Sequence, residues 1–387
     1  MDAKVMEELL ADCVGFAQRL IQTPSMPRQE AEIAELVADE MRHHGFDEVW
    51  LDGIGNVSGR IFGQDRRLGA LVLNSHLDHV DPGDLSLWPV PPYSAEIVNG
   101  HILGRGACDI KGPLAVQIYS MVGLLRQGQR PRRDVVFTGV VEEEIGGTGA
   151  KYWIENLDYP VDLIVLGEPS SNHISLGHRG LLQMWVTFSG RSVHASVPDA
   201  GDNPNYALAK FLNQLQQRKT ELKSHPILGP TTVAPTIIEV DTVSMNVTPA
   251  WTRVLLDFRT ASESPKSLQS FVRMVAGDLD PALSDAWAEE PGKSLTDSDE
   301  TIYGYYTPPE EEIVDKVKEI LSRGMGWEPE LTSYQFATDG RYFIPCGAAI
   351  LGYSPGEENL AHTVKERISI DMMADNLKGY IQLLREF

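Results

Sequence analysis

Four short apolar runs, each stopping at residues able to hold a proton or a metal ion, constrain this chain more than any other feature. Residues 71–74 run out at His76. Residues 135–141 stop at Glu142, Glu143 and Glu144. Residues 163–166 stop at Gly167-Glu168-Pro169, and residues 348–351 at Gly352-Tyr353-Ser354-Pro355-Gly356. A run of this length, bounded by charge and glycine, reads as a buried strand entering a tight turn. Residues 5–20, 30–44 and 114–125 carry helical periodicity between such runs, the second closed by Gly45. Strands buried on both faces and alternating with helices belong to a sheet covered by helices, so the fold expected is α/β with a mostly parallel sheet.

The middle of the chain has a different pattern. Residues 182–189 alternate as a half-exposed strand, 205–217 and 265–279 are helical, and 232–240 and 254–260 read as strands. This predicts an inserted α+β domain. With 387 residues, two domains are expected. The catalytic domain comprises residues 1–181 and 291–387, and the insert 182–290. The polar stretch 289–299, EEPGKSLTDSD, is the return linker.

A net charge of −22 argues against nucleic acid and against anionic membranes, both of which select Lys and Arg. No apolar run approaches the roughly 18 residues of a membrane span. The first 22 residues lack the basic start and unbroken apolar core of a signal peptide. Three cysteines, Cys13, Cys108 and Cys346, without CxxC spacing, suggest a reducing, cytoplasmic setting with no thiolate zinc site.

In open α/β sheets ligands bind outside the carboxyl ends of the strands, so the residues ending the runs should meet along one edge. They are His76 and Asp78 in H-x-D, Asp109 in GRGACDIKG, Glu143 and Glu144, Glu168 and His362. Singly, each has an ordinary structural explanation: a surface pair, a turn aspartate, a solvated glutamate. Their joint placement favours function. Three adjacent carboxylates repel one another and make sense beside positive charge. Two histidines and three carboxylates without a thiolate suit zinc, cobalt or manganese. Asp78 could hold the imidazole of His76 from behind.

Taken in order, SHLDHVDPGD with Trp88, GRGACDIKG, EEEIGG, GEPS, GRSVHASVP, NVTP with DFR, ATDGRYF, and GYSPG with AHT resemble the M20 metallopeptidase family. The resemblance runs from His76 to His362. It implies a two-metal amidohydrolase with Asp109 bridging the metals. His76 and Glu168 would hold one metal, Glu144 and His362 the other. Glu143 matches the general base, and a cis peptide is implied after Asp109. Two divalent ions are expected, zinc foremost, with cobalt or manganese as alternatives. The inserted domain would serve as lid and dimerisation surface, giving a homodimer in which His194 reaches the partner's site and helps hold the oxyanion.

Arg179, Asn246, Arg259 and the Gly352 turn are the candidate contacts for a small substrate with a free carboxylate, since Arg is a natural carboxylate clamp. Taken without the resemblance, His194 and Asn246 read as turn residues and Arg259 as a strand surface charge. Thr338, Asp339 and Arg341 are candidates for shaping the pocket. His79 stands where the family usually has Thr, and Leu181 and Ala337 depart from the desuccinylase pattern. The reaction expected is hydrolysis of an N-acyl amino acid, with a dipeptidase or carboxypeptidase as the alternative. A non-catalytic metal-binding descendant would be marked by loss of the base, and Glu143 is present. A serine hydrolase is disfavoured: Pro355 follows Ser354 in G-x-S-x-G and has no N–H for an oxyanion.

Overall fold

The computed structural model describes residues 2–261, 263–286 and 304–387. The 289–299 linker and the 290/291 boundary lie outside the described residues. The chain divides into two compact units. One takes in the residues up to Gly177 with Tyr306–Tyr334 and Thr338–Phe387; the other takes in the described residues of His178–Tyr305 and Gln335–Ala337.

The first unit is built on a sheet in the order Glu48–Leu51, Val57–Ile61, Val135–Val140, Ala70–His76, Val161–Leu166, Ala349–Tyr353 and Ile174–His178. The four strands Val135–Val140, Ala70–His76, Val161–Leu166 and Ala349–Tyr353 are parallel to their neighbours. Val57–Ile61 and Ile174–His178 join this group antiparallel. Every residue of Ala70–His76 and Val135–Val140 is buried, which explains their unbroken apolar character.

Register aligns the strand ends. His76 pairs with Val140, and Asn74 with Leu166. The Gly167 N–H donates to the Asn74 carbonyl at 2.7 Å. His76, the Glu142–Glu144 turn and Glu168 therefore leave the sheet side by side.

Helix Gly112–Arg126 packs against Ala3–Gln22 and Ile370–Glu386. It is buried along nearly its whole length, with Pro113 in its first turn, where a missing N–H costs nothing. A Cβ at Gly123 would sit 2.8 Å from Leu9 and 3.1 Å from Ile381, so glycine permits the close helix approach. The other two helices are capped by the side chains of Asp2 and Ser369.

The second unit is a four-stranded antiparallel sheet in the order Thr232–Val240, Trp251–Thr260, Gly180–Ser189, Ala282–Asp285. Helices Pro204–Arg218 and Pro265–Ala276 contribute Phe211, Leu215, Leu268 and Val272 to a core with Met184, Val186, Phe188, Val254, Leu256 and Phe258. Gly180–Ser189 alternates buried and half-buried, as a sheet with one covered face requires. The helix expected over 265–279 ends at Ala276, because Gly277 (φ 56°) turns the chain into a tighter 3₁₀ turn.

Candidate metal centre

His76 is buried. Its Nδ1 lies 3.0 Å from the backbone carbonyl of Asp78, which can only accept. Nδ1 therefore carries a proton, and Nε2 is the nitrogen turned to the carboxylates. It lies 3.0 Å from Asp109 Oδ1, and Glu168 Oε1 is 4.0 Å away. The other oxygen of Asp109, Oδ2, lies 3.2 Å from His362 Nε2, which is 3.1 Å from Glu144 Oε1. Ligand atoms of His76, Asp109 and Glu144 all lie within 4.8 Å of one another.

Carboxylates crowded this closely against two imidazoles call for positive charge among them, from protons on the rings or from bound cations. Two imidazoles and three carboxylates, with Asp109 giving one oxygen to each histidine, fit a pair of divalent cations. The Asp109–Ile110 peptide is cis, as the resemblance implied.

The protons follow the same electrostatics. Hydrogen bonds to Asp109 and Glu144 push His362 up to about 10. Burial pushes Asp109 up, but its bonds to His362 and His76 outweigh this and hold it below the usual carboxylate range. Burial raises Glu143 well above that range, with Asp339 and Glu168 adding to the effect. Glu168 is raised mainly by burial, against the pull of His76. Asp339, itself buried, is pushed up to about 7 by desolvation.

Asp78 does more than sit behind His76. Its carboxylate is 3.6 Å from Nδ1. Its two oxygens accept the backbone N–H groups of Glu143 (3.2 Å) and Glu144 (3.0 Å). Glu142 adopts φ 57°, and its carboxylate accepts from Thr148 Oγ1 at 2.9 Å. His79 is fully buried. Its Nδ1 donates to the Val80 carbonyl at 2.8 Å, and its Nε2 accepts the Ser25 N–H at 3.0 Å. Both ring nitrogens are committed, so His79 ties two loops together and holds no metal. Burial keeps it neutral, pushed down to about 4.

Gly352, expected at the substrate, lies inside the sheet instead, paired with Leu166 on one side and Ser175 on the other. A Cβ there would fall 1.8 Å from the Tyr334 hydroxyl, so glycine is required for packing. Ser354 is buried, and its hydroxyl accepts the Gly356 N–H as a turn former.

Thr338 and Arg341 belong to the first unit, and the expected residues Arg179, His194, Asn246 and Arg259 to the second. His194 and Asn246 come together there, with Nε2 and Nδ2 3.3 Å apart, and both are exposed. Arg259 Nε donates to Asp257 at 2.9 Å, and Arg179 donates to the Pro230 carbonyl at 3.2 Å.

Two supporting residues escaped the sequence reading. Glu366, 1% exposed, accepts the N–H groups of Cys108 and Asp109, each at 3.2 Å, and pairs with Arg105 at 2.6 Å. Glu30, 4% exposed, accepts the Glu142 N–H at 3.0 Å.

A largely parallel sheet delivering this donor set to one edge makes that edge a candidate metal centre. Residues 72–386 match the model of peptidase family M20/M25/M40, and the chain belongs to that family. It is 26% identical over 380 residues to a succinyl-diaminopimelate desuccinylase of Hydrogenovibrio crunogenus, covering 93% of this chain and 95% of that protein. The fold is similar to that of aminopeptidase PepT from Bacillus cereus (TM-score 0.74, 18% identity, covering 97% of this chain and 98% of that one). It is also similar to YXEP of Bacillus subtilis, a dinuclear metal-binding peptidase from the M20 family (TM-score 0.71, 13% identity, 98% of each chain). Among the described residues no helix is long and apolar enough to cross a membrane.

Proposed function

We propose that this chain hydrolyses the amide bond of a small N-acyl amino acid, with Glu143 as general base and then general acid. One observation carries the reading: Asp109 turns one oxygen to His76 and the other to His362. His76, Asp109 and Glu168 would hold one divalent ion and Asp109, Glu144 and His362 the second, zinc foremost, with cobalt or manganese able to serve. When bound, such a pair supplies Lewis acidity that polarises the carbonyl and makes water acidic near neutral pH.

The chain's own groups do the rest. A Glu143 carboxylate oxygen takes a proton from the attacking water and passes it to the leaving nitrogen. Asp78 keeps the backbone of Glu143 and Glu144 fixed while this happens. Family position gives His194 the oxyanion and gives Arg179, Asn246 and Arg259 the substrate carboxylate. A dipeptidase or carboxypeptidase specificity is the alternative, and the expected setting is the cytoplasm.

A homodimer through the inserted domain is supported by an edge. Thr232–Val240 ends its sheet and is exposed along most of its length, with Ile237, Ile238 and Val240 on the strand, and Val243 and Met245 just beyond it, all solvent-facing. A bare apolar edge of this kind invites pairing with a second copy across a two-fold axis.

The test combines metal analysis with turnover across acetyl, succinyl and formyl amino acids beside dipeptides. Glu143→Ala should keep its metal and lose turnover. Wild-type-like activity in that variant sinks the mechanism, and a preference for dipeptides moves the assignment to the alternative.

A further inference from the structure

Three consecutive N–H groups, those of Glu142, Glu143 and Glu144, each point at a buried carboxylate oxygen. Glu143 and Glu144 use the two oxygens of Asp78 at 3.2 and 3.0 Å, and Glu142 uses Glu30 Oε1 at 3.0 Å. Glu30 comes from the start of helix Ala31–His43, far from the turn in sequence, and is 4% exposed. The turn it grips is under backbone strain. Glu142 holds φ 57°, a left-handed conformation that costs a side-chain-bearing residue about 1–2 kcal/mol. Such a conformation persists only where its surroundings impose it. Thr148 Oγ1 and, at 3.5 Å, Arg28 Nε hold the Glu142 carboxylate, while Glu30 holds its amide. Arg28 is itself left-handed, with φ 70°. The direction in which Glu143 leaves the sheet is set at this residue, because the left-handed step immediately precedes it.

We propose that Glu30 is a positioning residue for the reaction: by accepting the Glu142 amide it holds the left-handed step that aims the Glu143 carboxylate. The proposal rests on the reading of Glu143 as the catalytic base. What it requires of Glu30 is an acceptor at full side-chain length, not a charge. Glutamine keeps the length and a carbonyl acceptor. Aspartate keeps the charge and draws the acceptor back by about 1.5 Å, one C–C bond.

The test uses metal-loaded enzyme with the best substrate of the amide panel, measuring kcat and KM separately. Glu30→Asp and Glu30→Ala should lower kcat at least about 10-fold with KM within about twofold. A catalytic group displaced by 1 Å loses about 100-fold. Glu30→Gln should stay within about threefold of wild type. Equal losses in Glu30→Gln and Glu30→Asp, or a kcat unchanged in Glu30→Asp, overturn the proposal. In the wild-type protein the Glu142 amide should be protected from hydrogen exchange, and free exchange there overturns it even if a variant fails to fold. Glu143→Ala runs alongside. Retained turnover in that variant removes the catalytic reading and this inference with it. Lost turnover there with full kcat in Glu30→Asp removes only the inference.

Discussion

Arg105→Met tests how the loop that presents Asp109 is held. The Arg105 and Glu366 side chains are 3% and 1% exposed and meet at 2.6 Å. Glu366 spends its other oxygen on the N–H groups of Cys108 and Asp109. The guanidinium also lies 5.0 Å from the Trp88 ring centroid. Methionine keeps an apolar stem reaching as far as the Nε position and removes the guanidinium with its charge and donors. Removing one partner of a buried pair leaves the other charge uncompensated, which costs about 3–5 kcal/mol. The lost contact with Trp88 lies within that range, because one truncation removes both. At about 2–4 °C per kcal/mol for a unit of this size, the melting transition should fall by roughly 10 °C. Scanning calorimetry on metal-loaded protein at pH 7 reads this directly. The double variant Arg105→Met/Glu366→Leu should regain part of the loss, since an apolar pair replaces a stranded carboxylate. A single variant melting within 2 °C (about 1 kcal/mol) of wild type would refute the argument that this pair is desolvated.

Asp78→Asn should lower kcat/KM about 10- to 100-fold with metal content kept. The amide turns a donor toward one of two N–H groups and forfeits a charge-assisted bond of about 1.5–3 kcal/mol; kinetics beside metal analysis check it, and full activity would count against the clamp. Glu40, inside a cluster with His44, Tyr119 and Arg19, is lowered from 4.5 to about 2, the bonds to those partners outweighing burial. A depressed carboxyl stabilises the fold above pH 4.5, and its contribution fades as pH falls toward 2. Glu40→Gln should therefore cost about 3 kcal/mol near neutrality and progressively less in urea melts below pH 4.5; a penalty independent of pH would contradict this. Ile238→Lys puts a charge on the exposed edge strand and should shift the sedimenting species from dimer to monomer, whereas an unchanged boundary would remove that edge as the interface.

The parts legible in the sequence were those with local signatures. Continuous burial produced apolar runs, and the runs located the four parallel strands to within two residues, because they are too short for a helix and are closed by charge and glycine. The residues closing the runs gave His76, Glu144 and Glu168, and the glycine-flanked Asp109 and the later His362 joined them. Glu30 and Glu366 left no such trace. Each is a single glutamate in a polar stretch, and its role exists only through amides more than a hundred positions away. His79 stands beside H-x-D, and its part is settled only by the three-dimensional placement of Ser25 and Val80, which take both ring nitrogens. Gly352 looked like a loop offering N–H groups because glycine marks turns and crowded sheet positions alike. The close approach of Tyr334 decides between them.

The strand Ala349–Tyr353 sits between Val161–Leu166 and Ile174–His178, and this has a consequence in time. During synthesis the two earlier strands emerge together, joined by a short connection. They cannot pair with each other without closing the place a third must take. At about 5–20 residues per second, that place stays open for roughly ten to thirty seconds, with two bare strand edges facing one another. His362 follows the late strand, so the acidic cluster lacks one of its two imidazoles for the same interval. The growing chain stays exposed to mispairing throughout that interval, until the late strand fills the place. Helpers that mask strand edges would matter most at that moment, and slower translation would prolong it.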